Sequence, residues 1–379
     1  MRIGITCYPS IGGSGVVATE LGKQLAERGH QVHFITYDTP FRLHQHQQGV
    51  TFHEVEVPNY PLFRYPPYLL ALTNKMIEVS RFCRLDLLHV HYAIPHATSA
   101  VLARSVLRER SVKVVTTLHG TDVSLLGTDP GFYDLVAWSI NASDGVTAVS
   151  AALAEDTRVK LPVTRDIEVI HNFVDPAVYA RRPSPALRAA LAPAGEALVV
   201  HVSNFRGVKR PVDVVRGFAA INGRLPCRLA LVGEGPEMPR VRAAAAELGV
   251  LDRISFMGHQ ECVAEILSSA DLFLLPSAQE SFGLAALESI ACGTPVLAYR
   301  IGGLPEVIED GQGGFLLPDN DLDGLVARGI ELLSCPSLWG EVGAAGADRA
   351  RRLFGASRIV SMYEAYYARV LQGDQGKEA

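Results

Sequence analysis

Two carboxylates, Glu280 and Glu288, are separated by seven residues and bracket the run Ser281-Phe282-Gly283-Leu284. A strand-like stretch ends at Leu275, which puts Glu280 on a loop and Glu288 inside a helix that starts near Gly283. Free backbone amides at a helix start attract anions. The amides expected there are those of Phe282, Gly283 and Leu284. Carboxylates accept hydrogen bonds from sugar hydroxyls. The combination suits a ligand that is rich in hydroxyls and carries phosphate. A plainer account makes one glutamate a cap and the other a surface residue, but no Lys or Arg stands nearby in the sequence to pair with them.

Three more segments place reactive groups after strand-like runs. Ser203-Asn204-Phe205-Arg206-Gly207-Val208-Lys209-Arg210 holds three cations within five residues. Arg offers a fork and Lys a point charge, and both suit phosphate. A solvated basic turn is the ordinary alternative; a position after the first strand of a second α/β unit favours a diphosphate. Leu118-His119-Gly120-Thr121-Asp122 ends another strand and presents an imidazole beside a glycine, although a lone histidine is more often structural. Pro9-Ser10-Ile11-Gly12-Gly13-Ser14-Gly15 is a glycine-rich turn into a helix, where backbone approaches a ligand closely. It is neither a Walker A loop nor G-x-G-x-x-G. His89 and His91 share a strand face near His96, yet no carboxylate or cysteine completes a metal set by spacing, so no metal is expected. His44 and His46 fall in a polar loop. Asn141-Ala142-Ser143 is a glycosylation sequon, without meaning in a cytoplasmic chain.

The elements that position these loops alternate between β-rich and helical runs. In the first half the predicted strands are Arg2–Tyr8, Gln31–Thr36, Leu87–His91, Lys113–Leu118, Gly145–Val149 and Ile167–His171. Val16–Arg28 reads as a helix closed by Gly29. The proline-rich stretch Asp175–Gly195 reads as a linker. The alternation then restarts with Leu198–Ser203, Arg228–Val232, Ile254–Met257, Leu272–Leu275, Pro295–Tyr299 and Gly314–Leu317. Such alternation predicts parallel sheets covered on both faces. The expected domains are therefore residues 1–175 and 196–356, with a C-terminal helix at about 357–372. That helix, Ser357–Leu371, carries an apolar stripe of Ile359, Met362, Tyr363, Tyr366, Tyr367 and Val370 that must pack on something. Gly373–Ala379 reads as a frayed tail. Ligands of open parallel sheets bind beyond the carboxyl ends of strands, where the four loops above fall.

Length and composition agree. The chain has 379 residues, 48% hydrophobic and 20% charged, enough for two domains of globular type. A net charge of −5 gives no sign of a nucleic-acid partner. No window holds 18 uninterrupted apolar residues, and the start lacks a signal-peptide pattern. Six scattered cysteines without a C-x-x-C pair point to free thiols in a reducing compartment. A cytoplasmic location is expected; oligomeric state stays open.

Glu280 and Glu288, with Ser281-Phe282-Gly283, Ala291-Cys292-Gly293-Thr294-Pro295-Val296 and Gly302-Gly303-Leu304-Pro305-Glu306, resemble the E-x7-E signature of the retaining glycosyltransferase family 4. The Arg206/Lys209 loop, the glycine loop and the His119 segment match the family's other sites in order, so the resemblance covers nearly the whole chain. It implies the GT-B fold: two Rossmann-like domains facing across a cleft, the first binding acceptor and the second nucleotide sugar, with the last helix crossing back to the first. Ile3-Gly4-Ile5-Thr6-Cys7-Tyr8-Pro9, Gly12–Gly15, Phe34-Ile35-Thr36, His89–His96 and Ser203–Arg206 are similar to a subgroup that works in bacillithiol biosynthesis. That resemblance implies UDP-N-acetylglucosamine as donor and L-malate as acceptor.

The resemblance also implies roles. Glu288 would bind the donor ribose. Glu280, Ser281 and the amides of Phe282, Gly283 and Leu284 would hold the donor sugar. Arg206 and Lys209 would neutralise the diphosphate. Gly13 and Ser14 would approach the donor phosphate or the acceptor, and His119 would contact the donor sugar. Ser14, Tyr92, Thr121 and Asn204 would grip the acceptor. Retention with no evident nucleophile on the opposite face favours same-face attack, without an essential metal or other cofactor. The alternatives are a family 4 transferase with another acceptor, an inositol phosphate or a lipid-linked sugar, or a nucleotide-sugar sensor without catalysis. The Phe63–Leu72 stretch, with Arg64 and several aromatics, is the sole hint of a lipid acceptor. An NAD enzyme is disfavoured because neither half carries G-x-G-x-x-G.

Overall fold

A computed structural model describes residues 1–9, 12–43, 47–57, 64–108 and 112–373. His44 and His46, Phe63 of the aromatic stretch, and 374–379 of the expected tail lie outside the described residues.

The chain divides into two compact units, Met1–Asn172 with Ser357–Ala379, and Phe173–Ala356. The first unit is built on β1 (Arg2–Thr6), β2 (Gln31–Thr36), β3 (Val50–Glu54), β4 (Leu87–His91), β5 (Lys113–Leu118), β6 (Gly145–Ala148) and β7 (Ile167–Val169). These form one parallel sheet in the order β3-β2-β1-β4-β5-β6-β7. The second unit has β8 (Ala197–Val202), β9 (Cys227–Val232), β10 (Ile254–Gly258), β11 (Leu272–Leu275), β12 (Val296–Tyr299), β13 (Glu309–Asp310) and β14 (Gly313–Leu317). Its parallel order is β10-β9-β8-β11-β12-β14-β13.

Each sheet reverses direction of growth once, between β1 and β4 in the first unit and between β8 and β11 in the second. At such a switch point two neighbouring strand-end loops splay apart and leave a crevice. The loops that flank it are the ones leading from β1 to Ser14, from β4 to Tyr92, from β8 to Lys209 and from β11 to Glu280. The central strands are buried on both faces, as continuous runs such as Leu272-Phe273-Leu274-Leu275 require.

β3 and β13 were not among the predicted strands. β3 is a sheet edge with a mixed sequence, Val-Thr-Phe-His-Glu, and is only partly covered, so it carries no apolar run. β13 has two residues, both exposed.

The stretch Asp175–Gly195, expected as a linker, is built into the second unit instead. Pro185–Leu191 forms a helix. Arg181 Nη1 donates to the Ala270 carbonyl and to Thr294 Oγ1, both at 3.0 Å. The Arg182 amide donates to Ser268 Oγ, and Arg188 pairs with Asp271 at 2.7 Å. The prolines here shape a strap, and its hydrogen bonds go to residues far away in sequence.

The last helix, Ala356–Gln372, belongs to the first unit from Ser357 onward. Ile359, Val360, Tyr363, Tyr366 and Tyr367 of its apolar face are buried. The Tyr366 hydroxyl donates to the Val146 carbonyl at 3.0 Å, and the Tyr367 hydroxyl meets His89 Nδ1 at 2.7 Å. Arg28 pairs with Glu364 at 2.7 Å on the same helix. Among the described residues no helix is long and apolar enough to cross a membrane.

Candidate active site

In the second unit the two basic and acidic loops meet. Residues Gly207–Lys209 form a single turn after β8, and the Ala278 amide donates to the Val208 carbonyl at 2.7 Å, tying that turn to the loop after β11. Lys209 Nζ then reaches Glu280 Oε1 at 2.7 Å, and Ser277 Oγ donates to the same oxygen at 2.9 Å. The cation missing from Glu280's sequence neighbourhood is thus supplied by a loop 71 positions earlier. Lys has three donors, so the pair fixes the ammonium without using it up. Arg206 and Asn204 are exposed. Arg210 is engaged with Asp319 at 2.8 Å.

The helix after Glu280 runs Leu284–Ala291, with Gly283 as its cap at φ 95°. A side chain on Gly283 would meet Leu304 Cδ2 at 2.5 Å, so this left-handed turn needs glycine on two counts. The helix begins one residue later than expected. Leu284 and the next two residues supply the first-turn amides that lack a helical acceptor, while Phe282 and Gly283 lie in the entering turn. Phe282 is buried and packs edge-on against Phe354 at 5.7 Å. Gly302 supports the loop from behind: its Cβ would lie 1.9 Å from the Glu280 carbonyl. The neighbouring Gly303 amide donates to that carbonyl at 3.0 Å.

Glu288 is 7% exposed. Tyr179 donates its hydroxyl to Glu288 Oε1 at 2.5 Å. Tyr179 was not foreseen, because it sits in the stretch read as a linker. His201 was missed too. It is fully buried, bonding the Leu274 carbonyl through Nδ1 and Ser203 Oγ through Nε2, both at 2.8 Å. Ser203 Oγ accepts from the Phe205 amide at 3.1 Å. His201 therefore fixes the turn that carries Asn204 and Arg206, where Phe205 is held at φ 40°. Burial lowers its pKa to about 4, so it works as a neutral positioning group.

In the first unit, the helix Gly13–Glu27 starts earlier than Val16, so Gly13 and Ser14 lie in its first turn. Ser10 and Ile11 of the glycine loop are outside the described residues. Tyr92 donates its hydroxyl to Ser14 Oγ at 3.0 Å, and the same hydroxyl is hydrogen-bonded by the Thr121 side chain. Three of the four expected acceptor residues, Ser14, Tyr92 and Thr121, are thus joined, while Asn204 belongs to the other unit. Tyr92 has φ 83°, a strained value for a side-chain-bearing residue and one that clusters at functional sites.

His119 Nε2 lies 2.8 Å from His91 Nδ1. Burial lowers its pKa to about 3, with His96 contributing, so its imidazole is neutral and offers a hydrogen bond without charge. Asp122, fully buried, accepts the amides of Gly120 at 2.8 Å, His119 at 3.3 Å and Ala93 at 3.4 Å. It binds the loops after β4 and β5 together. Burial raises its pKa to about 6, against the pull of those amides.

The unit with the glutamate pair can hold a phosphorylated, hydroxyl-rich ligand. The first unit offers hydroxyls and neutral imidazoles. Residues 11–178 match the family described as Glycosyltransferase Family 4, and residues 185–349 match Glycosyl transferases group 1. The chain is 47% identical to the N-acetyl-alpha-D-glucosaminyl L-malate synthase of Bacillus anthracis over 99% of its length and 98% of that protein. It is 30% identical to a D-inositol 3-phosphate glycosyltransferase of Stackebrandtia nassauensis, covering 82% of this chain and 76% of that one. Among solved structures, HepE of Anabaena in complex with UDP and glucose superposes with a TM-score of 0.82 at 20% identity, over 97% of this chain and 99% of that one. Sucrose-phosphate synthase from Thermosynechococcus elongatus gives 0.81 at 22%, over 98% and 99%. These neighbours share the GT-B fold. With the E-x7-E pair set at the switch point of the second sheet, the chain belongs to the family 4 glycosyltransferases.

Proposed function

We propose that the enzyme transfers N-acetylglucosamine from UDP-N-acetylglucosamine to the hydroxyl of L-malate with retention, the opening step of bacillithiol biosynthesis. The observation that carries this reading is the 47% identity, over 99% of the chain, to a protein named for that product. Free cysteines throughout fit a cytoplasmic setting.

The donor belongs to the second unit. Glu288, oriented by Tyr179, takes the ribose hydroxyls. Glu280, Ser281 and the turn Phe282-Gly283-Leu284 take the sugar hydroxyls. Lys209, steadied by Glu280, and Arg206 face the diphosphate, where negative charge grows as UDP leaves. Gly13 and Ser14, at a helix start in the first unit, suit a phosphate or carboxylate. His119 meets the donor sugar as a neutral hydrogen-bonding group. Ser14, Tyr92, Thr121 and Asn204 hold the malate.

Attack comes from the face the leaving group departs, and a phosphate oxygen takes the malate hydroxyl proton. In that step the C–O bond to malate forms as the bond to the UDP oxygen breaks. Two cations and helix amides carry the charge, so no metal is required. The test is product analysis by mass spectrometry, with UDP-N-acetylglucosamine and a panel containing L-malate, inositol 3-phosphate and a lipid-linked sugar. UDP release and a glycosyl-malate product are expected with L-malate alone. Turnover with inositol 3-phosphate or the lipid acceptor instead would move the acceptor assignment, and donor binding without turnover would mark a sensor.

A further inference from the structure

A second group of chemically active side chains lies on the other arm of the first sheet. Parallel register pairs His33 with Thr51 and Ile35 with His53, and strand alternation then puts His33 and His53 on one face. The helix Tyr68–Phe82 packs by its Leu72, Met76 and Val79 side with Ile35 and Leu88 of the sheet, and Cys83 ends that helix. His33 Nδ1 and His53 Nε2 are 3.0 Å apart. With Cys83 Sγ, one donor atom from each of the three residues lies within 4.8 Å of the others.

Two imidazoles and a thiol form a set suited to a borderline-soft cation rather than to Mg2+ or Ca2+. A tetrahedral zinc, with bonds of about 2.0–2.1 Å to nitrogen and 2.3 Å to sulfur, sets its donors roughly 3.3–3.7 Å apart. The histidine pair, at 3.0 Å, is already near that spacing, and the whole set lies within 4.8 Å. Lys75 and Glu78, the charged groups that act on His53, pair with each other at 3.0 Å and so largely cancel. Burial keeps both imidazoles below the usual histidine pKa, in the neutral form that ligates.

We propose that His33, His53 and Cys83 bind one Zn2+ ion, with water as fourth ligand, and that the ion clamps the edge strand β3 to the end of the helix Tyr68–Phe82. On binding, the Cys83 thiol gives up its proton as sulfur bonds to the metal. The N–H shared by the two imidazoles moves to an outward ring nitrogen, so the net change is one proton released. The clamp would also shield an edge whose far side pairs with no further strand among the described residues.

The experiment uses the full chain stripped with a chelator and titrated with Zn2+ alone, with Mg2+ as control. One equivalent should bind, and the melting temperature should rise by about 5–10 °C at a hundredfold excess over Kd. Co2+ in place of Zn2+ should show tetrahedral bands and a thiolate-to-cobalt absorption. Cys83→Ser should remove that absorption, and Cys83→Ser and His53→Gln should each weaken binding roughly 100-fold. The Co2+ spectrum of the unaltered chain serves even if a variant misfolds. Binding below one equivalent, a Co2+ spectrum without the thiolate band, or affinity unchanged in Cys83→Ser would overturn the site.

Discussion

The Tyr179 hydroxyl donates to Glu288 Oε1 across 2.5 Å, although the two residues stand 109 positions apart. The proline-rich strap is thereby part of the wall that orients the second glutamate of the E-x7-E pair. Tyr179→Phe removes one donor to a buried carboxylate. We expect a loss of about 1.5–3 kcal/mol in stability and a several-fold rise in KM for the nucleotide sugar, with kcat less affected. Denaturant melts and steady-state kinetics check this; unchanged stability with unchanged donor KM would show that the bond is incidental.

Glu280 holds Lys209 and is placed to hold sugar, so its two roles separate by substitution. Glu280→Gln keeps shape and hydrogen-bonding capacity but drops the charge. Turnover should fall roughly 10- to 100-fold, the worth of one charge-assisted hydrogen bond, with circular dichroism unchanged. Lys209→Ala should weaken UDP binding by about 10-fold, read by calorimetry. Equal UDP affinity in that variant would remove Lys209 from the diphosphate.

Ser14, Tyr92 and Thr121 form one hydroxyl network. Ser14→Ala and Tyr92→Phe should each raise the acceptor KM about 10-fold while leaving the donor KM in place. A matching rise in donor KM would assign the network to the donor phosphate instead.

Burial depresses the pKa of four histidines, the fully buried His89, His96 and His201 and the partly buried His119: His89 and His119 stand at about 3, His96 and His201 at about 4. A base whose folded pKa is lowered contributes stability above its unfolded value near 6.5, and that stability is lost as pH falls toward the folded value. Asp122, raised to about 6, acts oppositely: its contribution is present below its unfolded value of 3.8 and is lost as pH rises through 6. Each net proton adds a slope of about 1.4 kcal/mol per pH unit, and four bases outweigh one acid. The urea midpoint, measured with chelator present, should therefore drop between pH 6.5 and 5. A flat profile would mean these imidazoles are accessible to protonation in the folded chain.

The sequence by itself determined the two parallel α/β units, most strand limits and the residue types at the strand ends. Those signals are local: an apolar run such as Leu272–Leu275, a glycine turn such as Gly302-Gly303, and the spacing of Glu280 and Glu288 are each read within a dozen residues. Even the apolar stripe of Ala356–Gln372 was legible, since burial of one helix face follows from its period. What only the tertiary structure decided were the pairings: Lys209 with Glu280 across 71 positions, Ser14 with Tyr92 across 78, and Tyr179 with Glu288 across 109. These depend on strand order and loop packing, which no local pattern encodes. The edge strand β3 escaped notice for the same reason, because its half-covered face gives no apolar run. The strap did as well, because prolines mark a departure from regular structure and say nothing of what the chain then binds.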